Sequence, residues 1–491
     1  MFAGTGSDVG KSVIAAAFCR IFKQDGYSPA PFKAQNMALN SFATPDGLEI
    51  GRAQAVQAEA AGIPCHTDMN PLLLKPNSDH TSQVVLNGLP VGNRSAYEYF
   101  RHEGRDELRA QVCAAYDRLA ARYNPVVLEG AGSISEINLR ETDLVNMPMA
   151  QHAGARVILV GDIDRGGVFA SVYGSIALQS PEDRQLIKGI LINKFRGDIR
   201  LFHSGIKMLE DLCKVPVVGV VPYFKDIHIE EEDSVDLALK SRERVQNKVN
   251  VAVILLRHLS NFTDFNALEH DPRVHVFYTS NVEDIERADI IVLPGSKNTI
   301  DDLYELRRNG VAQAVLKAHR GGAVVLGICG GYQMMGQELL DPQHVEGDVE
   351  RFPGLGLLPT RTTLTGEKVT RQVAFRLASH DDQPPASTPM SGYEIHMGTT
   401  SVVDGAEEAP LTILSDGTAD GYRASGRCMG TYIHGILDNP AFVDFLLKPF
   451  ADKVSQAQPM DYQAYKEQQY DLLADHVRSH VDMEQIYSIL K

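Results

Sequence analysis

The sequence has no long run of lysine or arginine, and its formal charge is -16 over 491 residues. Nucleic acid and anionic membrane surfaces are recognised through concentrated positive charge, so neither is expected as a partner. A polyanionic small molecule would need a local basic pocket. Cysteines are few, at positions 19, 65, 113, 213, 329 and 428, without a CxxC pair or metal-ligand spacing. That scatter excludes a disulfide framework and points to a reducing, cytoplasmic compartment. No apolar stretch approaches the roughly 20 residues of a membrane span, and no basic segment followed by an apolar one opens the chain. There is no internal repeat.

Runs rich in valine, isoleucine and leucine do occur, with helical stretches between them. They lie at 125–129, 156–162, 189–193 and 215–222, then at 249–256, 275–278, 288–294 and 322–327. Near-continuous apolar runs of this length fit strands buried on both faces of a parallel sheet, so the expected fold class is α/β. The length exceeds what one core holds. The charged stretch 226–250 is the best boundary, which divides the chain into a first domain at 1–235, a second at 249–450 and a helical extension at 451–491. Residues 340–425, richer in Thr, Gly and Pro, are expected as antiparallel strands and loops, with 379–391 weakly structured.

Gly4-Thr-Gly-Ser-Asp-Val-Gly-Lys11-Ser12 is a phosphate-binding loop opening a helix. It departs from G-x-x-x-x-G-K-[ST] because Thr5 stands where the first glycine belongs, with Gly4 one residue earlier. Gly10 lets backbone N–H groups approach phosphate, Lys11 reaches the outer phosphates, and Ser12 offers Mg²⁺ a hydroxyl. Only Met1-Phe2-Ala3 precede the loop, so either the strand feeding it is very short or the start trims it. Glu129, at a strand's C-terminal end and followed by glycine, is the first choice for a carboxylate on Mg²⁺. Asp162 and Asp164 also end a strand; metal binding, nucleotide positioning and pairing with Arg165 stay equally open.

Cys329 ends the apolar run Val325-Leu-Gly-Ile-Cys-Gly-Gly-Tyr-Gln-Met334, between small residues, where a buried strand turns into a helix. A thiol on such a nucleophile elbow is lifted out of the sheet, and the N–H of Gly330 faces a developing oxyanion. His434, in Gly-Thr-Tyr-Ile-His-Gly, is the base that would activate it; His396 competes but reads better as a structural or substrate-contacting residue. Gly295 and Ser296, after another strand, add donors to an oxyanion hole. ATP chemistry and a thiol hydrolase on one chain suggest that one reaction feeds the other.

With both sites in hand, the chain resembles the cobyric acid synthase family, glutamine-dependent amidotransferases of cobalamin biosynthesis. The marks are Gln35-Asn-Met-Ala-Leu-Asn40, Met69-Asn-Pro-Leu-Leu-Leu-Lys75-Pro-Asn77, Glu129-Gly-Ala-Gly-Ser-Ile-Ser-Glu-Ile-Asn-Leu-Arg140, Asp162-Ile-Asp-Arg165-Gly-Gly and Ile192-Asn193-Lys-Phe-Arg-Gly. The resemblance implies a dethiobiotin-synthetase-like P-loop domain followed by a class I glutamine amidotransferase-like domain. It also implies amidation of the b, d, e and g carboxylates of adenosylcobyrinic acid a,c-diamide, with ATP, Mg²⁺ and L-glutamine. By that likeness Thr5, Gly6, Gly10, Lys11, Ser12 and Asn193 hold the nucleotide, Ser12 and Glu129 the metal. Lys33, Asn36, Asn40, Arg52, Gln54, Lys75, Asn77, Asp162 and Arg165 then face the corrinoid, the cations among them supplying the basic pocket the net charge demands. One departure stands out: class I enzymes carry His-Pro-Glu, whereas here His434-Gly435-Ile436 lacks the acid. The site is a Cys-His dyad, or its orienting group lies elsewhere. Two other readings share some of these motifs: a cobyrinic acid a,c-diamide synthase, and a ParA-like ATPase with an inactive amidotransferase scaffold.

Overall fold

The computed structural model describes every residue except 77–80, 96–104, 231–240, 380–388, 455–459 and 491. Asn77, the expected domain end at 235 and most of the loop 379–391 therefore lie outside the described residues. The chain forms two compact units, one of Met1–Ala38, Ile50–Glu230 and Lys466–Lys491, the other of Leu39–Glu49 and Glu231–Tyr465.

In the first unit, strands Phe2–Gly4, Val157–Asp162, Ile187–Phe195 and Val217–Pro222 make a parallel sheet in that order. Its apolar runs are buried on both faces, as near-continuous hydrophobicity requires. Ile158 and Val160 pack with Ile14, Phe18 and Ile21 of helix Lys11–Gln24, while Val157 and Leu159 pack with Val168, Val172 and Ile176 of helix Val168–Ala177. The run expected at 125–129 forms a strand Val126–Leu128 beside Ala30–Phe32. The strand feeding the phosphate loop has three residues.

Residues 466–491, expected as a separate extension, pack into this unit. Tyr470, Leu473, Ala474 and Val477 repeat at helical spacing along Tyr462–Arg478 and join the core of Phe18 and Ile21. Arg20 adds an ion pair with Asp471, and Lys466 one with Glu59.

The second unit centres on six strands in the order Val274–Thr279, Val249–Ile254, Ile290–Leu293, Val324–Ile328, Cys428–Thr431 and Tyr422–Ser425. All neighbours are parallel except the last pair. The Thr- and Gly-rich region supplies the expected antiparallel strands, a long hairpin of Thr360–Leu377 and Met390–Val402 with Ile433–His434 on its edge. Residues 39–49 also belong here, although they sit far up the first half of the sequence: Ala43 O accepts from Gln372 Nε2 at 3.0 Å, and Glu49 pairs with Lys368. Among the described residues no helix is long and apolar enough to cross a membrane.

Candidate active site

The second unit brings three neighbouring strand ends together. Val324–Ile328 runs into Cys329, Ile290–Leu293 leads to Gly295 and Ser296, and Cys428–Thr431 leads to His434. Cys329 has φ 51° and ψ -110°, a conformation that a non-glycine residue holds only when its surroundings impose it. The following helix, Gly330–Met335, is seated closely enough that a Cβ on Gly331 would collide with Leu293 O. A Cβ on Gly330 would stand 2.8 Å from Ser296 N, so glycine keeps that amide open beside the thiol. The Cys329 thiol donates to Ile395 O at 3.5 Å.

His434 is almost wholly buried, and its Nδ1 lies 2.7 Å from Asp264 Oδ2; Asp264 Oδ1 accepts from Gly435 N at 2.9 Å. That leaves Nε2 as the nitrogen that can serve the Cys329 sulfur. Burial alone would lower the His434 pKa. The Asp264 carboxylate, through charge and hydrogen bond, and Cys329 more than offset it and raise the pKa to about 10. His396 is the reverse case. Burial pushes it down to about 4, only partly opposed by its bond with Gly398 O, and it stacks on Tyr432 at 3.8 Å. It is therefore neutral where His434 carries a proton.

Asp264 is the residue that sequence reasoning missed. It sits 170 positions from His434, on the short turn Phe262–Phe265 beyond strand Val249–Ile254. No local spacing announces it. The one available signal was that this strand end, too, carries an acid toward the edge where Cys329 sits.

In the first unit, Lys11 Nζ donates to Gly6 O and Gly132 O, both at 2.9 Å, so the ammonium lies extended along the loop. A Cβ on Gly4 would stand 2.8 Å from that nitrogen. It would also press on Gly6 O at 2.9 Å and Gly132 O at 3.0 Å, which is why glycine is needed at position 4. Gly10 is left-handed, φ 91°, and a side chain there would collide with Asn193. Asn193 Nδ2 donates to Val9 O at 2.9 Å, while its buried Oδ1 has no hydrogen-bond partner. Ser12 Oγ donates to Glu129 Oε1 at 2.8 Å, Lys33 pairs with the same oxygen at 2.9 Å, and Gln57 donates to Oε2 at 2.7 Å. A hydroxyl beside a buried carboxylate, a side-chain-free cradle and an orphaned amide oxygen together fit a Mg²⁺-nucleotide, since that ion takes only one or two protein oxygens.

The other sequence candidates separate. Asn36 and Gln54 hydrogen-bond each other at 3.1 Å, and Lys75 is buried on strand Leu72–Pro76. Asp162 pairs with Lys194 at 3.2 Å, and Arg165, exposed, lies 3.7 Å from Asp8 of the loop. The partner of Asp164 is Arg196, at 2.7 Å, and not Arg165. Arg52 is buried against Glu230 at 2.6 Å and Glu59 at 3.3 Å. Asn40 lies in the second unit, its Oδ1 accepting from Phe262 N at 3.2 Å.

Comparison with known proteins agrees with this architecture. Residues 1–236 match the CobQ/CobB/MinD/ParA nucleotide binding domain, and 250–442 the CobB/CobQ-like glutamine amidotransferase domain. The class defined is a glutamine amidotransferase joined to a nucleotide-binding synthetase. Curated relatives named cobyric acid synthase are 72% identical in Bacteroides fragilis, 69% in Phocaeicola vulgatus and 48% in Salmonella heidelberg, each covering 100% of this chain and 98% of the relative. The chain belongs to the cobyric acid synthase family: it is an enzyme, a glutamine-hydrolysing carbon–nitrogen ligase of cobalamin biosynthesis. The readings as an a,c-diamide synthase or a ParA-like switch fall away.

Proposed function

We propose that this enzyme amidates the b, d, e and g carboxylates of adenosylcobyrinic acid a,c-diamide, giving adenosylcobyric acid, with ammonia released at Cys329 and ATP used at Lys11. The observation that carries the ammonia-releasing half is the Cys329 elbow, with an imidazole held by Asp264 at the end of the neighbouring strand segment.

A thiol attacks as thiolate, and a protonated His434 beside it stabilises that charge. The Cys329 sulfur adds to the amide carbon of glutamine, and the oxyanion faces the N–H groups around Gly295, Ser296 and Gly330. Collapse breaks the carbon–nitrogen bond, with the His434 proton passing to the departing ammonia. Water then adds to the thioester, His434 takes its proton, and glutamate leaves as the sulfur is freed.

In the first unit a substrate carboxylate attacks the γ-phosphorus of ATP and ADP departs, leaving an acyl phosphate. Ammonia attacks the acyl carbon, phosphate leaves, and the amide sheds a proton. Lys11 and Lys33 offset charge on the transferred phosphoryl group, and Asn193 faces the nucleotide. Mg²⁺, held by Ser12 and Glu129, would supply further neutralisation. Asn36, Arg52, Gln54, Lys75, Asp162 and Arg165 are the candidates for corrinoid contact. A reducing cytoplasm suits the six unpaired cysteines.

Mass spectrometry of products from the a,c-diamide, ATP and glutamine tests the reading. Successive products, each lighter by the difference between a hydroxyl and an amino group, are expected at four carboxylates. Turnover that stops after fewer amidations, or starts only from cobyrinic acid, would sink it.

Asp264→Asn is expected to cut glutaminase kcat/KM by about 10²-fold, less than the ~10⁴ of the comparable change in serine triads, because a thiol needs less help from its base. The sign of the pH effect follows from the raised His434 value. Activity needs the imidazolium and is lost as pH rises through its pKa of about 10; without the carboxylate that limb moves down toward the unperturbed ~6.5. A pH profile of glutaminase kcat/KM with an unmoved alkaline limb would remove Asp264 from the site.

A further inference from the structure

The segment Leu39–Glu49 comes from the nucleotide-binding half of the sequence, yet its contacts converge on the supports of the cysteine, histidine and aspartate just described. Asp264 sits on the turn Phe262–Phe265, which is entered through Asn261 in a left-handed conformation, φ 52° and ψ 42°. Two reciprocal bonds clamp that turn to the segment: Phe262 N donates to Asn40 Oδ1 at 3.2 Å, and Ser41 N donates to Asn261 Oδ1 at 3.0 Å. Asn40, Ser41, Asn261 and Asp264 are all buried.

The same segment reaches the other two residues. The Phe42 ring meets that of Tyr393 edge-on at 4.6 Å, and Tyr393 stacks on the His434 imidazole at 5.3 Å and 22°. Ala43 packs with Tyr393 and Ile395, and Ile395 O is the acceptor for the Cys329 thiol. Ordered side chains that leave no room for alternative rotamers hold reacting groups to a fraction of an ångström, and loosening them costs rate without removing any reacting atom.

From this convergence we infer that Leu39–Glu49 is a positioning element of the glutaminase, with Asn40 fixing the Asp264 turn and Phe42 fixing His434 through Tyr393. The inference rests on the reading of Cys329 and His434 as the glutaminase pair. It gives Asn40 a task other than the corrinoid contact implied by family likeness. It also makes the thiol site incomplete in any chain that begins after residue 49. The titratable groups around His434 are Asp264, Cys329 and, on the neighbouring strand, Tyr393 and His396, none of which the segment supplies. Its effect is therefore geometric.

The test uses the full-length enzyme, with Cys329→Ala as reference. Phe42→Ala is expected to lower glutaminase kcat about tenfold with little change in glutamine KM, to move the alkaline limb of the pH profile downward as the Asp264–His434 bond slackens, and to leave ammonium-dependent amidation unchanged; Phe42→Tyr, which keeps the ring, restores kcat. Asn40→Ala is expected to lower glutaminase kcat similarly with an unchanged corrinoid KM. Normal glutaminase in both variants overturns the inference, as does a raised corrinoid KM in Asn40→Ala or a parallel loss of ammonium-dependent amidation in Phe42→Ala. Should Cys329→Ala itself retain glutaminase, the reading beneath the inference fails instead.

Discussion

Cys329→Ala is expected to lose glutamine-dependent amidation by a factor on the order of 10³ or more, while amidation from a high concentration of ammonium salt persists. Removing the nucleophile of a coupled triad costs about as much as removing the triad, so the glutaminase has no partial route left. The synthetase chemistry needs ammonia and a phosphorylated carboxylate, neither of which involves sulfur. The change itself is small. It deletes one buried atom whose hydrogen bond is with Ile395 O, and leaves the Asp264–His434 pair in place. Labelling gives a second check. Burial raises the thiols of Cys19, Cys65, Cys113, Cys213 and Cys428, so they compete poorly for an electrophile. An electrophilic glutamine analogue is thus expected to modify Cys329 and to block glutaminase one for one. Equal loss of glutamine- and ammonium-dependent synthesis in Cys329→Ala would make the residue structural.

The contrast between Cys329 and Asp264 shows what the sequence could disclose. An apolar run ending in Ile-Cys-Gly-Gly carries its own geometry, because strand, sharp turn and helix start are adjacent in the chain, and so does Gly-Lys-Ser at a helix start. The eight apolar runs likewise betray strands, since burial on both faces leaves little room for polar residues. Asp264 reaches His434 only through the fold, which brings the turn Phe262–Phe265 against the strand Ile433–His434 across 170 residues; no pattern along the chain encodes that. The partners of Arg52 are hidden from the sequence for a related reason. Its charge suggested a ligand, but burial forces a cation to find partners, and Glu59 and Glu230 lie where only the folded chain brings them. Residues 39–49 and 466–491 each pack with the unit that the linear order would not assign, so a single cut in the charged stretch 226–250 could not describe them.

Lys11→Ala is expected to behave oppositely to Cys329→Ala, losing amidation from glutamine and from ammonium alike by roughly a hundredfold or more, a loss of about 3 kcal/mol. Phosphoryl transfer asks the protein chiefly to position groups and to neutralise developing charge, and Lys11 is the cation the loop is built around. Its ammonium is held by Gly6 O and Gly132 O, and Gly4 clears the space beside it. Alanine leaves those two carbonyls without this donor, so the loop itself could relax. Lys11→Met separates the effects, because it keeps the apolar stem and deletes only the charge. Both variants should retain glutaminase, which depends on Cys329, His434 and Asp264 and on nothing in the loop. The Cys329 and Lys11 variants would then form a double dissociation: one enzyme that makes amide only from added ammonia, another that hydrolyses glutamine without making amide. Near-normal ammonium-dependent turnover in Lys11→Met would rule out this loop as the synthetic ATP site, whatever Cys329→Ala does.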